Sequence, residues 1–185
     1  MSGRVVSVVP YDPAWPQRFA EERVRLRSAL AETAVAIFHI GSTAVPGLAA
    51  KPIIDILVAA SSLQAIETRH IALAAMGYVS KGENGIVGRR YFQKGGAERS
   101  HHLHIYQHDN PHLVRHLAFR DYLRAHPAVS AAYAALKRDL ASRHQRDSAA
   151  YQDGKAEFLQ SQQDVALAWY AVTDPSLVVT QASEI

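Results

Sequence analysis

The chain contains no cysteine, which excludes disulfides, thiolate nucleophiles and sulfur-ligated metal centres. Any metal would have to be held by carboxylate, imidazole or carbonyl oxygen, a donor set suited to hard ions or to a histidine-rich centre. No apolar run approaches the roughly 18–20 residues of a membrane helix. The opening MSGRVVSVVP turns polar too soon for a secretory signal, so the chain reads as cytoplasmic and free of membrane. Aromatic residues make up only 8% and are not spaced as stacking platforms, which argues against nucleic acid as a partner. Also missing are the Gly-x-x-x-x-Gly-Lys-Ser/Thr loop, the Gly-x-Gly-x-x-Gly fingerprint and the Gly-x-Ser-x-Gly elbow, setting aside Walker-type kinases, Rossmann dehydrogenases and elbow hydrolases. Neither internal repeats nor low-complexity segments occur.

What is present is 185 residues, 48% of them hydrophobic and 20% charged, enough for one well-packed domain. The net charge is only +3, but its placement is uneven: nothing after Lys155 is basic. Seven of the ten histidines fall between His101 and His126. A basic, histidine-dense middle suggests an anionic ligand such as a phosphate; a solvated helix face explains the same charges.

The pattern of apolar positions predicts a short strand over 4–9. A helix follows from Asp12 and Pro13, its N-cap and first helical residue, to about Glu32, with Trp15, Phe19, Val24, Leu26 and Leu30 as its apolar face. Strands are expected over 35–39 and 53–60, joined by a glycine- and proline-bearing loop over 40–51. Ser61 and Ser62 cap a helix to about Met76, which Gly77 ends. Further strands are expected over 78–79, 89–94 and 101–106, with a turn around Gly82, Gly85 and Gly88. Helices then fill 111–125, 127–144 and 148–172. The layout is α/β (α+β): a mixed twisted sheet flanked by helices, followed by a helical C-terminal third over about 111–172. One domain is expected over 1–175, with a flexible tail over 176–185.

The segment carrying chemistry is Phe38-His-Ile-Gly-Ser-Thr-Ala-Val-Pro-Gly-Leu-Ala-Ala-Lys-Pro-Ile-Ile-Asp-Ile-Leu-Val58. It joins two apolar strands through a Gly-Ser turn. Backbone N–H groups at Gly41, Ser42 and Thr43, with the serine hydroxyl, can wrap phosphate oxygens. Asp55 sits inside an apolar strand, where a carboxylate is costly unless paired or bound to a cation. A Gly-Ser turn on one strand and a carboxylate on the next resembles the DNA polymerase beta-like nucleotidyltransferases, whose carboxylates hold divalent cations that bridge nucleotide phosphates.

A closer resemblance, covering most of the chain, is to the GrpB family. It is carried by Tyr11-Asp-Pro-Ala-Trp15, His39-Ile-Gly-Ser-Thr-Ala-Val-Pro-Gly47, Lys51-Pro-Ile-Ile-Asp55, Arg89-Arg-Tyr-Phe92, His102-Leu-His104 and Arg115-His-Leu-Ala-Phe-Arg-Asp-Tyr-Leu-Arg124, in that order. The resemblance implies a nucleotidyltransferase-type fold and kinship with domains fused to dephospho-CoA kinases. One departure matters: the active superfamily pattern places a second carboxylate two residues after the first, and this chain has Leu57 there. Three explanations stay open, namely a single-metal enzyme, another ligand set, or a fold that keeps the pocket without the chemistry.

Candidate site residues follow. Asp55 is the catalytic candidate. His102 and His104 share one strand face and, with Asp55, form a candidate set for a divalent cation (magnesium, manganese or zinc); two imidazoles tilt that choice toward zinc, manganese or iron. The competing explanation is that both histidines hydrogen-bond Asp55 without metal. Lys51 reaches Asp55 or a phosphate, unless it is a plain ion-paired or solvated lysine. Of the adjacent Arg89 and Arg90 only one can face the pocket, and Arg90 is chosen because it shares parity with Phe92 and Lys94. His112, His116, Arg120 and Arg124 recur every four residues as a basic ridge, with Arg115 beside it; a solvated face fits the same spacing. By the resemblance, Lys137, Tyr151 and Lys155 close the pocket. Three functions are consistent with this set: metal-assisted nucleotidyl or phosphoryl transfer, non-catalytic binding of a nucleotide or CoA precursor, and an accessory folding domain with a protein partner.

Overall fold

The computed structural model describes residues 5–173. Five strands form one mixed sheet in the order β1-β2-β5-β4-β3: β1 (Ala34–Ile40), β2 (Ile54–Ala60), β3 (Tyr78–Ser80), β4 (Arg89–Lys94) and β5 (His101–Gln107). β2 and β5 run parallel, while the β1–β2, β4–β5 and β3–β4 pairs are antiparallel. The two parallel strands lie inside the sheet; β2 is apolar except for Asp55, as a strand covered on both faces must be, while β5 carries three histidines.

Helix α1 (Trp15–Leu30) and the short α2 (Leu63–Glu67) and α3 (His70–Ala75) cover one face. There Trp15, Leu26, Leu30, Ile66 and Leu73 pack on Ile54, Ile56, Val58, Leu103, Ile105 and Phe92. Helices α4 (Pro111–Ala125) and α7 (Ala156–Thr173) cover the other, with Leu113, Leu117, Ala118 and Tyr170 against Ile40, Leu57, Ala59 and Tyr106. Between them in sequence, α5 (Pro127–Arg143) and α6 (Ser148–Asp153) wrap the sheet end. There Leu123, Tyr133 and Ala134 pack on Val45, Leu48 and Ala49 of the β1–β2 loop.

Several expectations shift. Residues 5–8 form no strand; Val9 makes only an isolated antiparallel bridge to Ala50. The first helix starts at Trp15, with Asp12 Oδ1 accepting from Ala14 N at 2.9 Å. Val24 is exposed, and Glu22 takes the place in the apolar stripe. That carboxylate is tolerable because Lys94 Nζ reaches it at 2.7 Å across the sheet edge. The helix expected over 61–76 begins as foreseen, with Ser62 Oγ accepting from Gln64 N and Ala65 N. It breaks after Glu67, where the Thr68 hydroxyl donates back to Ala65 O at 2.7 Å. The last helix divides at Gly154 into α6 and α7, since Gly154 lies directly against Leu140. The tail expected beyond Pro175 lies outside the described residues. Among those described, no helix is long and apolar enough to cross a membrane.

Candidate functional site

β-Strand alternation decides which side chains share the site. Asp55 pairs in register with Ile40 on one side and His102 on the other; Gln93 then faces His102 and Tyr91 faces His104. Asp55, His102, His104, Tyr91, Gln93 and Arg89 therefore point to the α4 side. Arg90 belongs to the opposite face with Phe92 and Lys94, where its guanidinium pairs with Glu67 and Glu83. The parity chosen from sequence thus selects the wrong arginine, and Arg90 is not brought to the site. Arg89 is on the right face but already donates to Glu83 O at 3.0 Å and Asn84 O at 2.7 Å.

At the end of β1 the chain turns sharply through Gly41 (φ +70°) into a one-turn 3-10 helix, Ser42–Ala44. A Cβ built on Gly41 would stand 2.5 Å from Asp55 Oδ2, so only glycine lets the turn lie on the carboxylate. The turn is held from behind. Thr43 Oγ1 meets His39 Nε2 at 2.9 Å and Ile53 O at 3.4 Å, so this side chain is committed internally. Arg124 donates twice to Ala44 O, at 2.9 and 2.7 Å, and Arg120 donates to His39 O at 3.1 Å. Asp121 fixes both guanidinium groups. Half of the expected basic ridge therefore buttresses the turn through its carbonyls. Burial, with Arg124 and Arg120 alongside, brings the His39 imidazole down to about 4 against the pull of Asp55, so it is neutral at pH 7.

His102 Nδ1 lies 3.0 Å from Asp55 Oδ1 and His104 Nε2 lies 3.9 Å from the same oxygen. Burial favours the neutral acid at Asp55. The two imidazoles more than offset this and hold the carboxyl well below the ordinary range. His104 and His116 are themselves pushed toward the neutral form, chiefly by burial. His116 leans on His104 at 5.6 Å between ring centroids, and Arg115 turns away to Gln163 Oε1 at 3.2 Å.

The expected histidines and aspartate therefore come together, with His102 hydrogen-bonded to Asp55 and His104 within ion-pair range of the same oxygen. Among the described residues no group of three or more His, Cys, Asp or Glu is placed to hold a metal ion. The donor chemistry agrees: both imidazoles approach one carboxylate oxygen, the other oxygen faces Gly41, and Leu57 is fully buried where a second carboxylate would stand. These residues do not fit a two-cation centre.

Positive charge comes instead from lysines. Lys137, on α5, is 2% exposed and Lys155, between α6 and α7, is 8% exposed. Lys137 Nζ meets Ser42 Oγ at 2.8 Å and also donates to Ala49 O. It lies 4.4 Å from the Tyr133 ring centre. Lys51 and Lys155 flank the Tyr151 ring at 4.8 and 4.7 Å. Burial, then Lys155 and Arg138, lowers Lys137 to about 7, while Asp55 acts to raise it. Burial, then Lys51, lowers Lys155 to about 8, again against Asp55. Burial pushes the Tyr151 phenol up to about 12. Of the described residues, neither Lys137 nor Lys155 has a carboxylate within 4.0 Å.

The structure thus gathers Gly41, Ser42, Asp55, His102, His104, Lys51, Lys137, Tyr151 and Lys155 at one end of the sheet, and leaves Arg90, Arg115 and the side chains of Thr43 and Arg120 engaged elsewhere. Sequence reasoning missed Tyr133, the supporting role of Arg124 and the link from Ser42 to Lys137. The last had a faint signal: Lys137 interrupts an otherwise apolar stripe of Tyr133, Ala134, Leu140 and Ala141, all buried.

A family model described as GrpB protein matches residues 5–164. The UPF0157 protein YqkA of Bacillus subtilis is 46% identical over 166 residues, 90% of this chain and 48% of that protein. The chain therefore spans about half the length of that relative. A dephospho-CoA kinase of Mycolicibacterium paratuberculosis is 32% identical over 171 residues, 79% of this chain and 42% of that protein. Among solved structures, the conserved protein GrpB from Enterococcus faecalis has a TM-score of 0.86 at 43% identity, covering 89% of this chain and 99% of that one. The Cid1 poly(U) polymerase, in a structure with Mg 3'-dATP bound, shares the fold alone. Its TM-score is 0.53 at 14% identity, over 80% of this chain and 49% of that one.

Proposed function

The chain belongs to the GrpB family, and on that premise we propose that it binds a nucleotide or another phosphorylated small molecule between the Gly41–Ser42 turn and Lys51, Lys137 and Lys155. One observation carries this reading. Two buried ammonium groups stand beside a turn of backbone donors, with no carboxylate in ion-pair range of either. Burying a lysine without a counter-charge is costly, and here the cost shows as the downward pull on both groups. A phosphate entering the pocket supplies the missing negative charge and favours the charged form of Lys155. Asp55, kept ionised by its two imidazole neighbours, lies against the turn and opposes any ligand charge that comes too close.

Calorimetric titration of the purified chain with nucleoside triphosphates and with dephospho-CoA, each with and without magnesium, tests the reading. The second ligand is included because of the kinase relative. The expected result is binding of at least one ligand, weakened tenfold or more in Lys155→Ala. The same ligand at a hundred times its Kd should add about 2.7 kcal/mol to stability. Absence of heat across the panel, from protein that melts cooperatively, would defeat it. Binding that requires magnesium would restore the metal-assisted reading and make transfer of a nucleotidyl or phosphoryl group the next assay.

A further inference from the structure

Ser42 carries a half-buried hydroxyl of the site. It opens the 3-10 turn after Gly41, and its oxygen lies 2.8 Å from Lys137 Nζ, contributed by a helix 95 residues further along the chain. The lysine stem is sealed by the cluster that joins Val45, Leu48 and Ala49 to Leu123, Tyr133 and Ala134, and Ala49 O accepts a second hydrogen bond from Nζ. A neutral amine suits this surrounding. Nζ donates to Ser42 Oγ and to Ala49 O; on losing a proton, the same nitrogen has a lone pair within reach of the Ser42 O–H. A hydroxyl aligned on a desolvated amine is the arrangement of an activated nucleophile and its base.

We propose that Ser42 and Lys137 form a nucleophile–base pair that reacts with phosphoanhydrides such as nucleoside triphosphates. The proposal rests on the phosphate-binding reading of the same pocket. In the step, Ser42 Oγ forms a bond to phosphorus while the bond from that phosphorus to the bridging oxygen breaks. The Oγ proton passes to Lys137 Nζ, and the leaving group departs as the anion: a nucleoside diphosphate when a phosphoryl group is transferred, pyrophosphate when a nucleotidyl group is. The turn that presents Ser42 is a 3-10 turn after a strand, not a Gly-x-Ser-x-Gly elbow, so a motif search for serine nucleophiles passes over it.

A fluorophosphonate, which loses fluoride to an activated serine, tests the pair directly, with intact mass and peptide mapping as the readout. The expected result is a single adduct on Ser42, none in Ser42→Ala, and labelling at least about a hundredfold slower in Lys137→Met. Lys137→Arg, which keeps a cation and removes the base, should match Lys137→Met and serves if the methionine variant does not fold. The charged and titratable groups facing Lys137 are Lys155, Arg138 and Asp55, with the Tyr133 ring against it. Labelling is therefore expected to rise with pH through about 7 and then level off. Incubation with a nucleoside triphosphate should then add a phosphoryl or nucleotidyl group at Ser42. Equal labelling in Lys137→Arg and the parent, or folded parent protein that stays unlabelled, overturns the pair. Nucleotide binding by calorimetry without any adduct also overturns it while leaving the binding pocket intact. Fluorophosphonate labelling without nucleotide binding overturns the phosphoanhydride substrate and the pocket reading together.

Discussion

Gly41 concentrates the most constraint in the fewest atoms. Its φ of +70° and its approach to Asp55 Oδ2 leave no room for a side chain. Gly41→Ala is expected to lower unfolding free energy by about 1–3 kcal/mol, measured by urea denaturation. The buried lysines set a second expectation. Both titrate lower in the folded chain, at about 7 and about 8, than the ordinary lysine value of 10.5. Between those limits the unfolded chain holds more protons, so stability must rise with pH across that window. Thermal melting from pH 7 to 10 should show this rise, and Lys137→Met should flatten it. Asp55 gives a slope of the same sign at acid pH: its depressed carboxyl stabilises the fold above about pH 4 and loses that contribution as falling pH protonates it. These features were partly legible. A lone aspartate in an apolar strand and a Gly-Ser turn announce themselves within a few residues. The partner of Ser42 lies 95 residues away, and no local pattern specifies it.

Among the elements, β4 shows how a single register decides chemistry. Arg89 and Arg90 are adjacent and chemically alike, and only the pairing of Tyr91 with His104 places Arg89 on the site's face. Period-two alternation was legible; its phase was not, because it depends on the neighbouring strand. Helix α4 teaches a similar lesson. Its four-residue spacing of basic groups is real, yet the Arg120 and Arg124 guanidinium groups are taken up by carbonyls at the end of β1 and in the turn. On the opposite face, α1 is tied to β4 by Glu22 and Lys94, a pair whose carboxylate is 4% exposed. Removing one partner leaves the other charge buried, so Glu22→Ala should cost about 3–5 kcal/mol by denaturant unfolding. The double variant Glu22→Leu with Lys94→Met should recover most of that loss.

Across the whole molecule, the sheet supplies the anionic half of the site and the C-terminal helices supply two of its cations. The mixed sheet, its flanking helices and the helical C-terminal third followed from apolar patterning that the sequence displays openly; the strand order did not. The closure of α5 and the α6–α7 junction over the β1–β2 loop depends on side-chain contacts between distant segments, which patterning does not encode. A ligand seated in the pocket must therefore quiet several remote stretches together. Amide hydrogen exchange with a bound nucleoside triphosphate should slow at residues 41–45, in the middle of α5 and around Lys155 in the same experiment. Slowing confined to one of these segments would place the ligand elsewhere.

The 95-residue separation of Ser42 and Lys137 also bears on how the protein is made. On the ribosome the serine-bearing turn emerges well before the helix that is to serve it, and domains fold as units once enough of the chain has been released. On the nucleophile–base proposal, a nascent chain carries an unactivated hydroxyl until α5 docks. Whatever chemistry the serine performs is withheld from unfinished protein, with no separate inhibitor required.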